Sequence, residues 1–219
     1  EISSCDWSSD VCSSDLDYGL PLTVFGFDED IEAAVLEMGA GRSVHISELA
    51  DIARPDIGVV TNVGTSHLEA FGTRDILTAE KLGISKFFDV GNSIIVNSDC
   101  DKLSRKNVEK IVPAGTDVVT VGSEVNDNII VYNIGDFGID GVSCSLDVKL
   151  GLTEYDGTYK LVIPVIGAHN LGNAALAIAA GVKLGINPAD GIRALADTRF
   201  SSGRRSEEHT SELQSHELI

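Results

Sequence analysis

The sequence predicts an α/β protein with a mainly parallel, Rossmann-like sheet, helices on both faces and an antiparallel β extension. The main observation is that short, β-branched apolar runs alternate with segments of helical periodicity, as in parallel sheets covered by helices. The 219 residues include 22 glycines but only 5% aromatic residues, which favours many tight strand–helix turns. No run of 18 apolar residues occurs, so membrane insertion is not expected.

The first half alternates predicted strands and helices. The apolar run 31–36 predicts a strand that ends at Glu37. The predicted elements that follow are a helix over 46–53, a strand over 57–63, a helix over 74–88 with Thr73 as its N-cap, and a strand over 92–99.

The second half changes character at residue 117. Four short strands separated by Gly, Asp and Asn turns predict an antiparallel extension over 117–164. An alanine-rich segment, 167–186, predicts a loop and a long helix, and 187–197 predicts a second helix that begins at Asn187 or Pro188.

The two ends are interpreted as non-native sequence. A DNA sequence that encodes residues 205–216 (RSEEHTSELQSH) has a reverse complement that encodes residues 6–16 (DWSSDVCSSDL), and it looks like a sequencing adapter. We therefore treat 1–16 and 205–219 as adapter-derived tails and 17–204 as the native segment. The alternative is two natural polar tails.

The charge balance limits the partners. The net charge is −18, and residues 17–204 keep −11, because each tail has four acidic residues and only the second has a basic one, Arg205. A chain so acidic is a poor candidate for binding nucleic acid or an anionic membrane. Cys100 and Cys144, the cysteines of the native segment, lack metal-ligand spacing and suggest a reducing compartment.

Polar side chains follow the ends of three predicted strands. Glu37 ends the first, Asn62, Ser66 and His67 follow the second, and Asp99 follows the third. Ligands of open parallel sheets bind beyond the carboxyl ends of the strands, and a carboxylate with one imidazole suits Mg²⁺ or Mn²⁺. The alternative is that Glu37 is a solvated strand end and His67 a capping or packing residue.

Other polar residues are ambiguous by themselves. Lys81 lies in a mostly apolar helix, where a surface lysine is the ordinary interpretation, and His45 is interpreted as a surface residue. Asn170 and Asn173 stand at a helix start, where they would contact a base edge or cap the helix. The chain contains neither GxxxxGK[ST] nor a GxGxxG after a strand, so it has no phosphate-binding loop of its own.

Several motifs together resemble the central domain of the Mur ligases. They are AVLEMGA, ELADIARPDIGVVTNVGTSHLEAFGTRDILTAEKLGI, IIVNSDCD and PVIGAHNLGNAALAIAAGVKLGI, and the likeness extends over residues 18–204. EMGA and SHLEAFG are most similar to the ligases that join D-alanyl-D-alanine to UDP-N-acetylmuramoyl-tripeptide. The resemblance implies a cytoplasmic bacterial enzyme of peptidoglycan synthesis that uses ATP and Mg²⁺ and works through an acyl phosphate.

The resemblance also implies residue roles. Glu37 and His67 match magnesium ligands, and Lys81 matches a lysine that is carbamylated and helps to hold a second magnesium. Asn170 and Asn173 match the adenine-contacting HNxxN segment, and Arg204 matches an arginine before the third domain.

The sequence departs from the family in three respects. The usual GEI reads VHI, with His45 in the place of the glutamate, and the usual AKxEI reads EKLGI. The UDP-substrate domain, the phosphate-binding loop and the C-terminal domain are missing, so the polypeptide is expected to be an inactive fragment. A folylpolyglutamate or cyanophycin synthetase-like ligase and a non-enzymatic acidic α/β module remain alternatives.

Overall fold

The computed structural model describes residues 16–39, 44–64 and 71–197, which contain one six-stranded sheet in the order β1 to β6. The strands are β1 (Ile57–Val60), β2 (Ser93–Asn97), β3 (Asp117–Gly122), β4 (Ile129–Asp136), β5 (Val142–Val148) and β6 (Gly157–Ile163). The α-helices are α1 (Leu16–Phe25), α2 (His45–Ala53), α3 (Arg74–Leu82), α4 (Arg105–Val108), α5 (His169–Lys183) and α6 (Pro188–Asp197).

The pairing confirms the predicted fold class. Strands β1 to β4 are parallel, and β4, β5 and β6 are antiparallel neighbours. The extension nevertheless begins later than residue 117, because β3 pairs in parallel with β2, with Val119 opposite Ile95. All of β3 after Asp117 is buried, as expected of a strand inside a parallel sheet rather than one with a solvated face.

Helices cover both faces of the sheet. On one face Ile95 and Val119 pack in a core that includes Leu171 and Leu176 of α5. On the other face Ile94 belongs to a second core, formed with residues of α2, α3 and α4: Ile46, Leu77, Leu82 and Val108. Because burying one such side chain contributes about 1.5–3 kcal/mol, the two cores hold both helix layers against the strands.

The predicted strand over 31–36 is wrong as a member of this sheet. Residues 31–39 belong to no helix and to no strand of the sheet, Ala34 alone among them has bridge-type pairing, and Val35 is 79% exposed. An extended segment becomes a strand only where a neighbour accepts its backbone hydrogen bonds, and no described strand runs along this one.

The predicted starts of two helices depend on local signals and are confirmed, whereas the predicted helix over 74–88 ends early: α3 stops at Leu82 and is followed by the 3₁₀ turn Gly83–Ser85. The Thr73 hydroxyl accepts a hydrogen bond from the Ile76 N–H at 3.3 Å at the start of α3. The Asn187 side-chain oxygen accepts from the Ala189 N–H at 2.9 Å, and Pro188 is the first residue of α6. Each side chain satisfies a backbone donor that the first helical turn leaves unpaired.

His45 is a correction, because the structure buries the residue that was assigned to the surface. It is the first residue of α2 and is 6% exposed. The helix begins one residue earlier than the pattern indicated, and the N–H groups of the residues on either side, Val44 and Ile46, donate to Glu80 of α3, so His45 belongs to a packed helix start rather than to a solvated loop.

The tail assignments lie outside the described residues, except that Leu16 is the first residue of α1. Among the helices that the structure describes, none is both long and apolar enough to span a membrane.

A packing prediction follows at Gly122, the last residue of β3. A Cβ atom there would lie 2.3 Å from Ser98 Oγ and 2.8 Å from Asp127 Oδ2, two groups that already share a hydrogen bond of 2.6 Å. We therefore expect Gly122→Ala to lower the free energy of unfolding by about 1–3 kcal/mol, the usual cost of overpacking, in urea denaturation.

The control is Gly191→Ala in α6, where the nearest atom to the new Cβ is Ile178 Cγ1 at 3.9 Å. Alanine there should stabilise by about 0.5–1 kcal/mol, because it favours the helix. Equal stability of the two variants would contradict the packing argument.

Candidate functional site

A cavity of about 830 Å³ lies along the edge of β1. Its lining includes Lys81 from the helix layer on one face and Ala180 from the layer on the other, so it passes the edge of the sheet rather than lying on one face. The segment 31–39 forms a further wall. The cavity is therefore bounded by β1, by the segment 31–39 and by both helix layers.

Glu37 and Lys81 both line this cavity. Glu37 ends the apolar run of the extended segment, and Lys81 lies in the last turn of α3. The Lys81 ammonium donates a hydrogen bond of 2.7 Å to the Asn62 carbonyl, two residues after β1. The two predicted ligands that the structure describes thus line the same cavity, and Lys81 lies beside the backbone that follows β1.

Burial changes the chemistry of Lys81. The side chain is half-buried, and the loss of solvent lowers the pKa of its amine below the ordinary value, an effect that the nearby Cys100 partly opposes. A lowered pKa makes the neutral, nucleophilic amine easier to reach than at a solvated lysine.

The backbone after β1 is held by α3 at two successive carbonyls. Lys81 binds the Asn62 carbonyl, and at the other end of α3 Arg74 Nη2 donates to the Val63 carbonyl at 2.9 Å. Asp101 accepts from the same guanidinium at 2.5 Å, and this bond holds the pKa of Asp101 below its usual range. Sequence reasoning missed Arg74, because its partner is a backbone atom that no spacing pattern reveals.

Several predicted site residues cannot be placed, and one has another contact. Ser66, His67 and Arg204 lie outside the described residues. Asp99 Oδ1 accepts two hydrogen bonds from Ser123, from its backbone N–H at 2.9 Å and its hydroxyl at 2.7 Å, so it anchors the loop after β3. Within residues 16–39, 44–64 and 71–197 no three His, Cys, Asp or Glu side chains form a potential metal cluster.

Asn170 and Asn173 lie in the first two turns of α5 and do not cap it. Ala168 is the N-cap and makes no side-chain capping bond, whereas the Asn170 amide donates to the Ile166 carbonyl at 2.9 Å. Asn173 is exposed. The helix-capping alternative is therefore wrong.

The direction of α5 places both asparagines towards the carboxyl ends of the strands. Lys183 at the end of α5 forms an ion pair of 2.5 Å with Asp117, the first residue of β3. Since 13 residues of helix rise about 20 Å, and β3 is about as long, the start of α5 lies towards the carboxyl ends of the strands.

Comparisons with known proteins give a consistent result. The family profile described as the Mur ligase middle domain matches residues 9–181. The chain is 32% identical over 187 residues to the UDP-N-acetylmuramoyl-tripeptide–D-alanyl-D-alanine ligase of Bacillus subtilis, a match that covers 85% of the chain and 37% of that relative.

Solved structures have the same fold. MurF from Acinetobacter baumannii matches with a TM-score of 0.76 and 23% identity, over 86% of this chain and 39% of that one. MurF from Thermotoga maritima in complex with ADP matches with a TM-score of 0.69 and 27% identity, over 85% and 40%. The chain thus spans about two fifths of the length of these relatives.

The burial of Lys81 predicts an unusual labelling profile. We expect the rate of acetylation at Lys81, measured by mass spectrometry across a pH series, to reach half of its plateau below pH 10.5, the ordinary lysine value. The reason is that desolvation disfavours the ammonium form. Exposed Lys106, followed in the same digest, controls for the reagent. A midpoint at or above 10.5 for Lys81 would refute the desolvation argument.

Proposed function

The chain belongs to the Mur ligase family and contains its middle domain, and from this premise we propose that it is part of an ATP-dependent ligase that joins D-alanyl-D-alanine to UDP-N-acetylmuramoyl-tripeptide. The observation that carries the proposal is that Glu37 and Lys81 line one cavity beside β1. The likeness to the Bacillus subtilis ligase supports these substrates over those of a folylpolyglutamate or cyanophycin synthetase. We place the ligase in the cytoplasm, where buried thiols such as Cys100 and Cys144 stay reduced.

The described donor set fits magnesium if Lys81 is carbamylated. Glu37 offers a carboxylate, but a charged ammonium beside it would repel a cation. Burial favours the neutral amine of Lys81, which would add to CO₂ and lose a proton to give a carbamate with oxygen donors. Glu37, His67 and carbamylated Lys81 would then hold Mg²⁺, which supplies neutralisation of phosphate charge during transfer.

The proposed reaction has two displacement steps. The tripeptide carboxylate attacks the γ-phosphorus of ATP, the bond to ADP breaks, and an acyl phosphate forms. The amine of D-alanyl-D-alanine then attacks the acyl carbon and loses a proton while the bond to phosphate breaks. Asn170, Asn173 and Arg204 would bind the nucleotide, and the α3 contacts to the Asn62 and Val63 carbonyls would fix the backbone that leads to His67.

The cavity also accounts for the missing phosphate-binding loop. The cavity lies between β1 and the segment 31–39, with a helix layer on either side. One additional strand in this space would give both β1 and the segment 31–39 a neighbour for backbone hydrogen bonds. We infer that the strand preceding the phosphate-binding loop of the full-length ligase occupies this space. Its side chains would cover Val59 and Val35, which are exposed in the chain as it stands.

The polypeptide of 219 residues should therefore release no phosphate from ATP, with or without the other substrates. Its sequence lacks the GxxxxGK[ST] motif, which supplies a phosphate-binding lysine and a loop of backbone N–H groups that bind phosphate. A coupled phosphate assay on the purified chain checks this, with a full-length ligase as positive control. Turnover by the chain alone would show that these groups are dispensable.

The role of Lys81 is tested in the full-length ligase. Lys81→Ala should abolish most ligation, because the oxygen donors of the carbamate are lost. Small carboxylic acids in the buffer should restore part of the rate by occupying the vacant ligand position. The matched control is Lys106→Ala, an exposed lysine on α4, which should keep full activity. Full activity of Lys81→Ala would return Lys81 to the role of a surface lysine.

A further inference from the structure

Glu80 is a buried carboxylate that the proposed mechanism does not use. Glu80 is only 8% exposed and directly precedes Lys81 on α3. Oε2 accepts a hydrogen bond from the Val44 N–H at 2.6 Å, and Oε1 accepts from the Ile46 N–H at 2.8 Å. Charge-assisted bonds of this kind are about twice as strong as neutral ones, so the carboxylate joins α3 firmly to the start of α2.

Helix α2 depends on this contact because its own sequence does not cap it. Its N-cap is Val44, which makes no side-chain capping bond and has a left-handed backbone with φ of 60°. A β-branched residue is rarely found in that conformation and is strained there. Glu80 provides the acceptors that a capping side chain would provide, and its negative charge is favourable at a helix N-terminus.

The contact connects the two elements that carry the site. Glu80 and Lys81 are successive residues of α3, so their side chains leave the helix about 100° apart, one towards α2 and the other towards the cavity. Holding α2 against Glu80 thus sets the rotation of α3 that aims Lys81.

We propose that Glu80 is a positioning residue of the site, whose carboxylate fixes the first turn of α2 on α3 and thereby aims Lys81 into the cavity. Its effect on magnesium rests on the proposed function; the effect on α2 does not. The neighbourhood of Gly83 supports the assignment. A Cβ atom on Gly83 would lie 3.6 Å from the Ser47 backbone nitrogen, in the same turn of α2.

A carboxylate at position 83 would therefore reach the turn that Glu80 now holds. The two departures from the Mur ligase pattern, VHI at 44–46 and EKLGI at 80–84, are in contact through these residues.

The test compares Glu80→Ala, Glu80→Gln and the double variant Glu80→Ala/Gly83→Glu, with Glu109→Ala as control. Glu109 is exposed and pairs with Arg105 at 3.7 Å. Amide exchange of residues 44–47 is measured on the chain. The magnesium concentration that gives half of the thermal shift is measured on the full-length ligase, together with its ligation kinetics.

Glu80→Ala should speed exchange at Ile46 about tenfold or more, as expected for the loss of a bond to a charged group. It should also raise the half-saturating magnesium concentration several-fold. Glu80→Gln should be intermediate, since its amide accepts one N–H and opposes the other. The double variant should recover most of both effects, and Glu109→Ala should show neither.

Three outcomes overturn the proposal. Unchanged exchange in Glu80→Ala would show that the carboxylate does not hold α2. Faster exchange with an unchanged magnesium response would reduce Glu80 to a purely structural residue, as would failure of the double variant to recover the magnesium response while exchange recovers. A full-length protein that binds magnesium without ligating D-alanyl-D-alanine would refute the ligase assignment alone, because exchange and thermal shift would still measure the Glu80 effect.

Discussion

Strands β2 and β3 bury side chains on both faces, and this constraint determines most of the architecture. Ile94 and Ile95 of β2 are neighbours in sequence but belong to different cores, so each face of the sheet needs its own helix layer. Because the strands are parallel, the chain must return to the amino end of the sheet before each new strand begins. For that reason the residues after β1, β2 and β3 gather at the carboxyl ends of the strands, where polar groups can meet without disrupting either core.

The extent of sequence-based prediction depends on whether a signal is local. Thr73 and Asn187 cap helices through backbone groups within three residues, so their positions could be predicted. Strand β2 has an apolar centre, Ile94 to Val96, and could be identified in the same way. The parallel pairing of β3 could not be predicted, because turn residues after it look the same whether its neighbour runs parallel or antiparallel. The segment 31–36 was wrongly predicted as a strand of the sheet for a related reason. Its residue pattern is typical of a strand, but strand pairing also depends on a neighbouring segment.

The candidate site shows the same division. Glu37 was predicted from the rule that polar residues gather at the carboxyl ends of strands; residues 31–36 are not a strand of the sheet, but Glu37 does line the cavity, and its role as a ligand stays a prediction. Lys81 could not be distinguished from a surface lysine by its spacing, and only resemblance to the family singled it out; the structure adds that it faces the cavity and is half-buried. Arg74 and Glu80 act on backbone groups far away in sequence, and a carboxylate or guanidinium that serves the main chain leaves no pairing pattern to detect.

The position of β1 at the end of the strand order has a consequence for handling the protein. The strand reads Ile57-Gly58-Val59-Val60 and carries none of the charged or proline residues that usually keep edge strands from adding to other chains. The roughly 13 Å of backbone offered by such an edge is a template for intermolecular strand addition. Concentrated preparations of the chain will therefore tend to associate through this edge. Dilution or a competing β-forming peptide should reverse the association. The net charge of −18 slows it but does not prevent it.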